Sequence, residues 1–167
     1  MSLTAGWMIA ALLLVQPGEI IDRVLAIVSG DVITLSDVVA AQELGFVAPA
    51  SSGGDPSDAT REVLTALIER ALVLAEVERY APPEPAPVEI DRRIRAIHAR
   101  FPTLQAFEAA LTRAGLEDTH LRERLRQDLR IEAYLGERFA ALSRDALVRD
   151  WIAGLRRRSD IVDLYKP

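Results

Sequence analysis

The chain contains no cysteine. Disulfides, a thiolate nucleophile and cysteine-ligated zinc are all excluded by that one absence, which by itself assigns no compartment. Histidine is nearly missing too. His98 and His120 each stand alone among Arg and Glu on an expected helix, without a second ligand at chelating spacing, so both read as ordinary histidines and no metal site is expected. There is no Gly-x-Ser-x-Gly elbow, no Gly-rich phosphate cradle and no His-Glu-x-x-His pair. Neither an enzyme nor a cofactor is expected. Positive charge is also lacking overall: the formal net charge is −5, the opposite of the basic footprint of a general nucleic-acid binder. The apolar run Leu3 to Val15 falls short of the about 20 residues that a membrane span needs. Its length matches the apolar part of a secretory signal, so residues 1–18 read as a signal peptide or an N-terminal apolar segment. A buried N-terminal helix is the competing reading.

What the chain has is aliphatic bulk on helix-forming residues. Half of its 167 residues are hydrophobic while aromatics make up only 5%, and Leu, Ala, Arg and Glu dominate. That length and apolar content suit one domain, 19–167, with a genuine core. The expected fold is mostly α, with a small β-sheet.

The most informative stretch is Asp22 to Val38. Leu25 to Val28 and Val32-Ile33 are short β-branched runs, and Ser29-Gly30-Asp31 between them supplies a hairpin turn. Thr34 then occupies a helix N-cap position with Asp37 three residues on, the shorter form of a capping box. So small a hairpin needs a further strand or a helix over its apolar face. The segment Asp160 to Tyr165 at the other end of the chain is the natural third strand, and Val24 to Val28 or Val32-Ile33 is expected to pair with Ile161 to Tyr165.

Helical spacing organises the middle. Leu35, Val38, Val39 and Gln42 form one helix that Gly45 stops. Phe46 to Pro56 is a Pro/Ser/Gly loop. A helix capped by Ser57 then runs to about Tyr80, with Val63, Leu64, Leu67, Ile68, Ala71, Leu72 and Ala75 on one face. Ala81 to Pro87 holds prolines that remove amide donors and restrict their neighbours, giving a stiff connector; a proline-rich ligand role is the lesser alternative. Next come a helix through Ile90, Ile94, Ile97 and Phe101 that ends at Pro102, a shorter one capped by Thr103 and closed by Gly115, and a long one from Glu117. The long helix carries Leu121, Leu125, Leu129, Ala133 and Phe139. Ser143 caps the last helix, whose Leu147, Trp151 and Leu155 share a face, and Trp151 is expected to be buried against the hairpin and the Val63 to Leu72 helix.

Charged groups have ordinary explanations. Glu76, Glu78, Glu117, Asp118, Glu132 and Glu137 lie near arginines on amphipathic helices, where i,i+4 pairing accounts for them. Arg156, Arg157 and Arg158 fit the negative end of a helix dipole. A patch that binds anionic headgroups or acidic clients is the alternative for that run. Chemistry therefore falls to apolar surface. Ile90, Ile94, Ile97, Phe101, Leu104, Phe107 and Leu111 are the candidate peptide-binding residues, lining a groove in which extended segments can lie. The competing reading makes the same residues plain core.

The hairpin with its Asp-Arg-Val entry and Ser-Asp-Val helix start, the long central helices, and the Trp151 helix followed by a strand resemble the SurA-type periplasmic chaperones of Gram-negative bacteria. The resemblance covers about Ile20 to Tyr165. Members of that family often carry parvulin prolyl-isomerase domains before the C-terminal helix, whereas here Phe139 to Asp145 joins two helices directly. The resemblance implies an exported protein of the periplasm, with helices 19–142 and a C-terminal helix and strand 143–167. Its function would be ATP-independent holding of unfolded outer-membrane or exported polypeptides. Two alternatives stand beside it: a helical assembly subunit pairing with one fixed partner or a second copy of the chain as a homodimer, and a degenerate member of the prolyl-isomerase chaperones.

Overall fold

The computed structural model describes residues 22–47, 55–139 and 144–167. The apolar segment 1–18, the tip of the Phe46 to Pro56 loop and Ser143 lie outside the described residues.

The hairpin forms as its residues dictate. Strands β1 (Val24–Val28) and β2 (Asp31–Thr34) are antiparallel. Their turn is shorter than the sequence reading had it, only Ser29 and Gly30, both at positive φ (52° and 97°), as a two-residue turn matched to strand twist requires. Between Val24 and Ala26 the register shifts. That irregularity lets the successive residues Leu25 and Ala26 both reach 0% exposure. Strand β3 (Ile161–Asp163) adds antiparallel to the other edge of β1, with Val28 opposite Ile161 and Ala26 opposite Asp163, giving the order β2-β1-β3. The two ends of the described chain are thus hydrogen-bonded into one sheet, with Leu164 donating its N–H to the Leu25 carbonyl.

Six helices are described. Helix α1 (Leu35–Glu43) starts on the reciprocal cap: Asp37 N–H donates to Thr34 Oγ1 while the Asp37 carboxylate accepts from the Thr34 N–H. Gly45, at φ 65°, ends it, and Phe46 N–H reaches back to the Ala41 carbonyl. Its inward face is Val38, Ala40 and Ala41, whereas Leu35 and Gln42 are exposed. Helix α2 (Pro56–Tyr80) is capped by Asp55, two residues before Ser57: Asp55 accepts from the Ser57 N–H and hydroxyl, and Pro56 takes the first helical position, where a missing amide hydrogen costs nothing. Pro87 likewise opens α3 (Pro87–His98) instead of belonging to the connector. Helix α4 (Leu104–Arg113) is capped by Thr103, whose hydroxyl accepts from Ala106 N–H, and is closed at Gly115. Helices α5 (Asp118–Arg138) and α6 (Arg144–Arg158) complete the order.

Apolar packing divides into two clusters. The first joins the sheet, α1, α2, the end of α5 and α6 through Leu25, Val28, Val38, Val63, Leu64, Ile68, Val77, Tyr134 and Leu155. The second is built from α3, α4 and the start of α5, with Ile97, Phe107, Ala110, Leu121 and Leu125 around Leu44. Phe46 packs on both. Helix α5 spans the two clusters, so its buried face is not the straight Leu121 to Phe139 line: Ala133 is exposed, and Tyr134 takes the inward place. On α6 Leu155 is the buried anchor, Leu147 is 44% exposed, and Trp151 is only half-buried. Its ring packs on Tyr134 and Phe139, at 6.0 and 5.5 Å, instead of being enclosed between hairpin and α2.

Candidate functional site

The sequence-predicted groove residues are brought together, but largely on one another. Ile97 (4% exposed) and Phe107 (7%) are core of the second cluster, and Ile90, Ile94, Phe101 and Leu111 are half-buried against it. Phe107 meets Phe101 and His98 edge-on, each at 5.5 Å. Leu104, at 57% exposed, stands outside on the first turn of α4. These short helices close their apolar faces because α3 and α4 each have α5 or α1 to lie against.

The open apolar surface lies instead between the two clusters. A cleft of about 460 Å³ runs between α2, α3 and α5, bounded by Phe46 and Val47 after α1 and by Ile152 of α6. That volume falls within the usual range of binding clefts, about 300 to 1,000 Å³. Leu67, Val73, Leu125, Ile131 and Leu135 give it an apolar lining, and Ile97 is the one member of the predicted set that reaches it. Four arginines and three carboxylates share the lining: Arg70, Arg93, Arg100 and Arg124 against Glu69, Asp128 and Glu132. In a chain of net negative charge, this cleft is locally positive.

Each of those arginines has a defined task. Arg100 donates from Nη1 to the carbonyls of Leu44 and Gly45 at 3.2 and 3.0 Å, covering the open end of α1. Arg93 pairs with Glu132, tying α3 to α5. Arg70 Nε meets Asp128 Oδ1 at 2.7 Å and its Nη2 donates to Gln127 Oε1 at 2.9 Å. Arg124, one turn before Asp128, offers its Nε to the other oxygen at 3.3 Å. Two guanidiniums thus share one carboxylate. All three side chains are withdrawn from water, at 18%, 20% and 30% exposure. Burial first, and the neighbouring Arg70 charge second, pull the Arg124 pKa below the ordinary guanidinium value, against the opposing pull of Asp128 and Asp37. The Arg124 guanidinium also lies over the Phe46 ring, 5.0 Å from its centroid.

Two further hollows adjoin this pair. One of about 400 Å³ lies toward Ser36, Asp37, Ala40 and Leu116, and one of about 320 Å³ toward Val32, Ile33 and Glu78. Arg70 and Arg124 line all three hollows. The i,i+4 spacing of Arg124 and Asp128 was readable in the sequence; that Arg70, from a different helix, would complete the set was not.

Several carboxylates pair across elements, and among those expected to pair along one helix Glu132 is the one that does so. Glu132 goes to α3, and Glu84 of the connector meets Arg126 at 2.6 Å while Glu123 holds the same guanidinium at 2.7 Å. Both raise the Arg126 pKa, Glu123 more strongly. Asp118 with Arg122 is a true i,i+4 pair, at 2.9 Å, and Glu76 with Arg79 is i,i+3. Arg156 comes within 3.9 Å of Glu69. Among the described residues no three His, Asp or Glu side chains converge to hold a metal ion, and no helix is long and apolar enough to cross a membrane. Comparison with protein-family models gives no match, and no curated protein matches the sequence.

Proposed function

We propose that this protein holds unfolded polypeptides without ATP and without chemistry, taking short apolar segments into the cleft between α2, α3 and α5. The observation that carries the reading is that cleft: an open hollow with an apolar lining, bordered by paired charges on three helices. Such a surface gains from any apolar side chain it shields from water and makes little demand on its sequence. The resemblance to SurA-type chaperones supports the same reading and adds the setting, an exported protein of the periplasm whose clients are outer-membrane or other exported polypeptides. On this reading the groove moves from the Ile90 to Leu111 surface to the seam beside it.

The test is protection of an unfolded β-barrel protein from aggregation, followed by light scattering without nucleotide. Ala96 is exposed on α3 yet lines the cleft, so Ala96→Trp fills the hollow with little reason to disturb the core. Lost protection with unchanged thermal stability is expected; protection equal to the parent chain defeats the assignment of this cleft. Unrelated clients should be protected alike and should remain protected at high salt, because apolar contacts are screened far less than charges. Protection confined to a single partner would instead support an assembly subunit.

A further inference from the structure

The cleft lining carries a charged group that apolar capture does not require. Arg70 and Arg124 belong to different helices, both are largely withdrawn from water, and they share the one carboxylate of Asp128. Holding two guanidiniums in a half-buried place is costly unless their charges are met. The other two carboxylates of the lining have partners elsewhere, Glu132 with Arg93 and Glu69 with Arg156 at 3.9 Å, while in the adjoining hollow Asp37 accepts from the Thr34 N–H and hydroxyl and Glu123 holds Arg126. Leu67, Val73, Leu125 and Ile131 line the same cleft as this pair. Two guanidiniums with one carboxylate between them, in the same lining as these apolar side chains, make a site for a carboxylate attached to an apolar chain.

We propose that Arg70 and Arg124 receive the free C-terminal carboxylate of a client polypeptide, with its last apolar side chains lying along the α2/α5 wall of the cleft. Charge complementarity selects this occupant: a planar carboxylate matches guanidinium forks and supplies the charge that Asp128 alone does not. Phe46, already beneath the Arg124 guanidinium at 5.0 Å, keeps that fork oriented. Internal segments of the same client would still enter the apolar part of the cleft, so a client carries one preferred point of capture at its end. The inference rests on the proposed holding function and adds to it the chemistry of the preferred segment.

The experiment compares a short labelled apolar peptide ending in a free carboxylate with the same peptide amidated, by fluorescence anisotropy on the full chain. The acid should bind about tenfold or more tightly, the scale of one charge-assisted contact. Arg124→Met should bring the acid-to-amide affinity ratio down to about one, whatever it does to the affinity of either peptide taken alone, and Arg70→Met serves equally if Arg124→Met fails to fold. Asp128→Asn removes the internal competitor and should strengthen acid binding, an effect opposite in sign to simple disruption. Equal binding of acid and amide by the parent chain overturns the carboxylate inference but leaves the apolar cleft standing. A long-chain alkanoate that binds where the peptide acid does not overturns the peptide terminus as occupant. Absence of client protection in the aggregation assay sinks the holding function itself, whatever the acid-to-amide ratio.

Discussion

Leu121, expected on the apolar face of the long helix, and Leu104, expected in the peptide groove, show what position does to two leucines. Leu121 is at 0% exposure in the second cluster, whereas Leu104 is more than half exposed on α4. Leu121→Ala should cost about 2 to 5 kcal/mol through lost burial and a residual cavity, read from chemical denaturation. Leu104→Asp should change stability by no more than about 0.5 kcal/mol. Among the described residues Gly45 is the one glycine whose replacement meets two obstacles. Its φ of 65° disfavours any side chain, and a Cβ there would stand 2.8 Å from Arg100 Nη1, which caps the α1 end. Gly45→Ala should therefore destabilise by about 1 kcal/mol or more, and a melting temperature equal to the parent's would overturn both obstacles.

At the scale of elements, boundaries were set by caps. Thr34 and Asp37 satisfy each other's backbone donors and end β2 and start α1 at one point. Thr34→Ala should cost about 0.5 to 2 kcal/mol, seen as a lower denaturation midpoint with an unchanged slope. Asp22 strengthens the same junction by accepting from the Ser36 N–H at 3.2 Å and from its hydroxyl. Partial burial raises the Asp22 pKa, but the hydrogen bonds from the Ser36 and Thr34 side chains and the Ser36 and Arg23 backbones outweigh it and hold the group below its usual 3.8. A carboxylate depressed in this way stabilises the fold above its unfolded value and loses that contribution as pH falls through its folded one. The stability of the parent chain should therefore decline below pH 3.8 more steeply than that of Asp22→Asn, measured by thermal melts on a descending pH series.

For the whole molecule the closing strand is decisive. β3 pairs with β1, Ser29 N–H donates to the Asp160 carbonyl at 2.9 Å, and Arg61 of α2 reaches Asp163 and the Tyr165 carbonyl, both at 3.3 Å. Removing Asp160 to Pro167 uncovers an edge of the central strand and part of the first cluster, so the truncated chain should melt at a markedly lower temperature. An unchanged melt would mean that β1, β2 and α2 suffice. The same sheet leaves an apolar row on its outer side, because Ile27 stands opposite both Val32 and Val162, and these two are 52% and 42% exposed.

What the sequence determined by itself was local. The β-branched runs on either side of the turn, Thr34 and Thr103 at helix starts, Gly45 and Gly115 at helix ends and the long aliphatic stripe of α2 each depend on neighbours a few residues away and are found where their chemistry puts them, whereas the turn narrowed from Ser29-Gly30-Asp31 to Ser29 and Gly30 and the α2 cap fell to Asp55 and not Ser57. Even the strand that closes the sheet was legible, since an uncovered hairpin demands a partner and Ile161 to Tyr165 was suited to it. Tertiary structure decided which apolar faces close and which stay open. Amphipathic helices look alike whether they bury their stripe or display it, and the Ile90 to Leu111 pair closed because α1 and α5 lay within reach. The cleft and its Arg70–Asp128–Arg124 group depend on where α5 crosses from one cluster to the other, a distance of 58 residues along the chain between Arg70 and Asp128 that no local periodicity encodes.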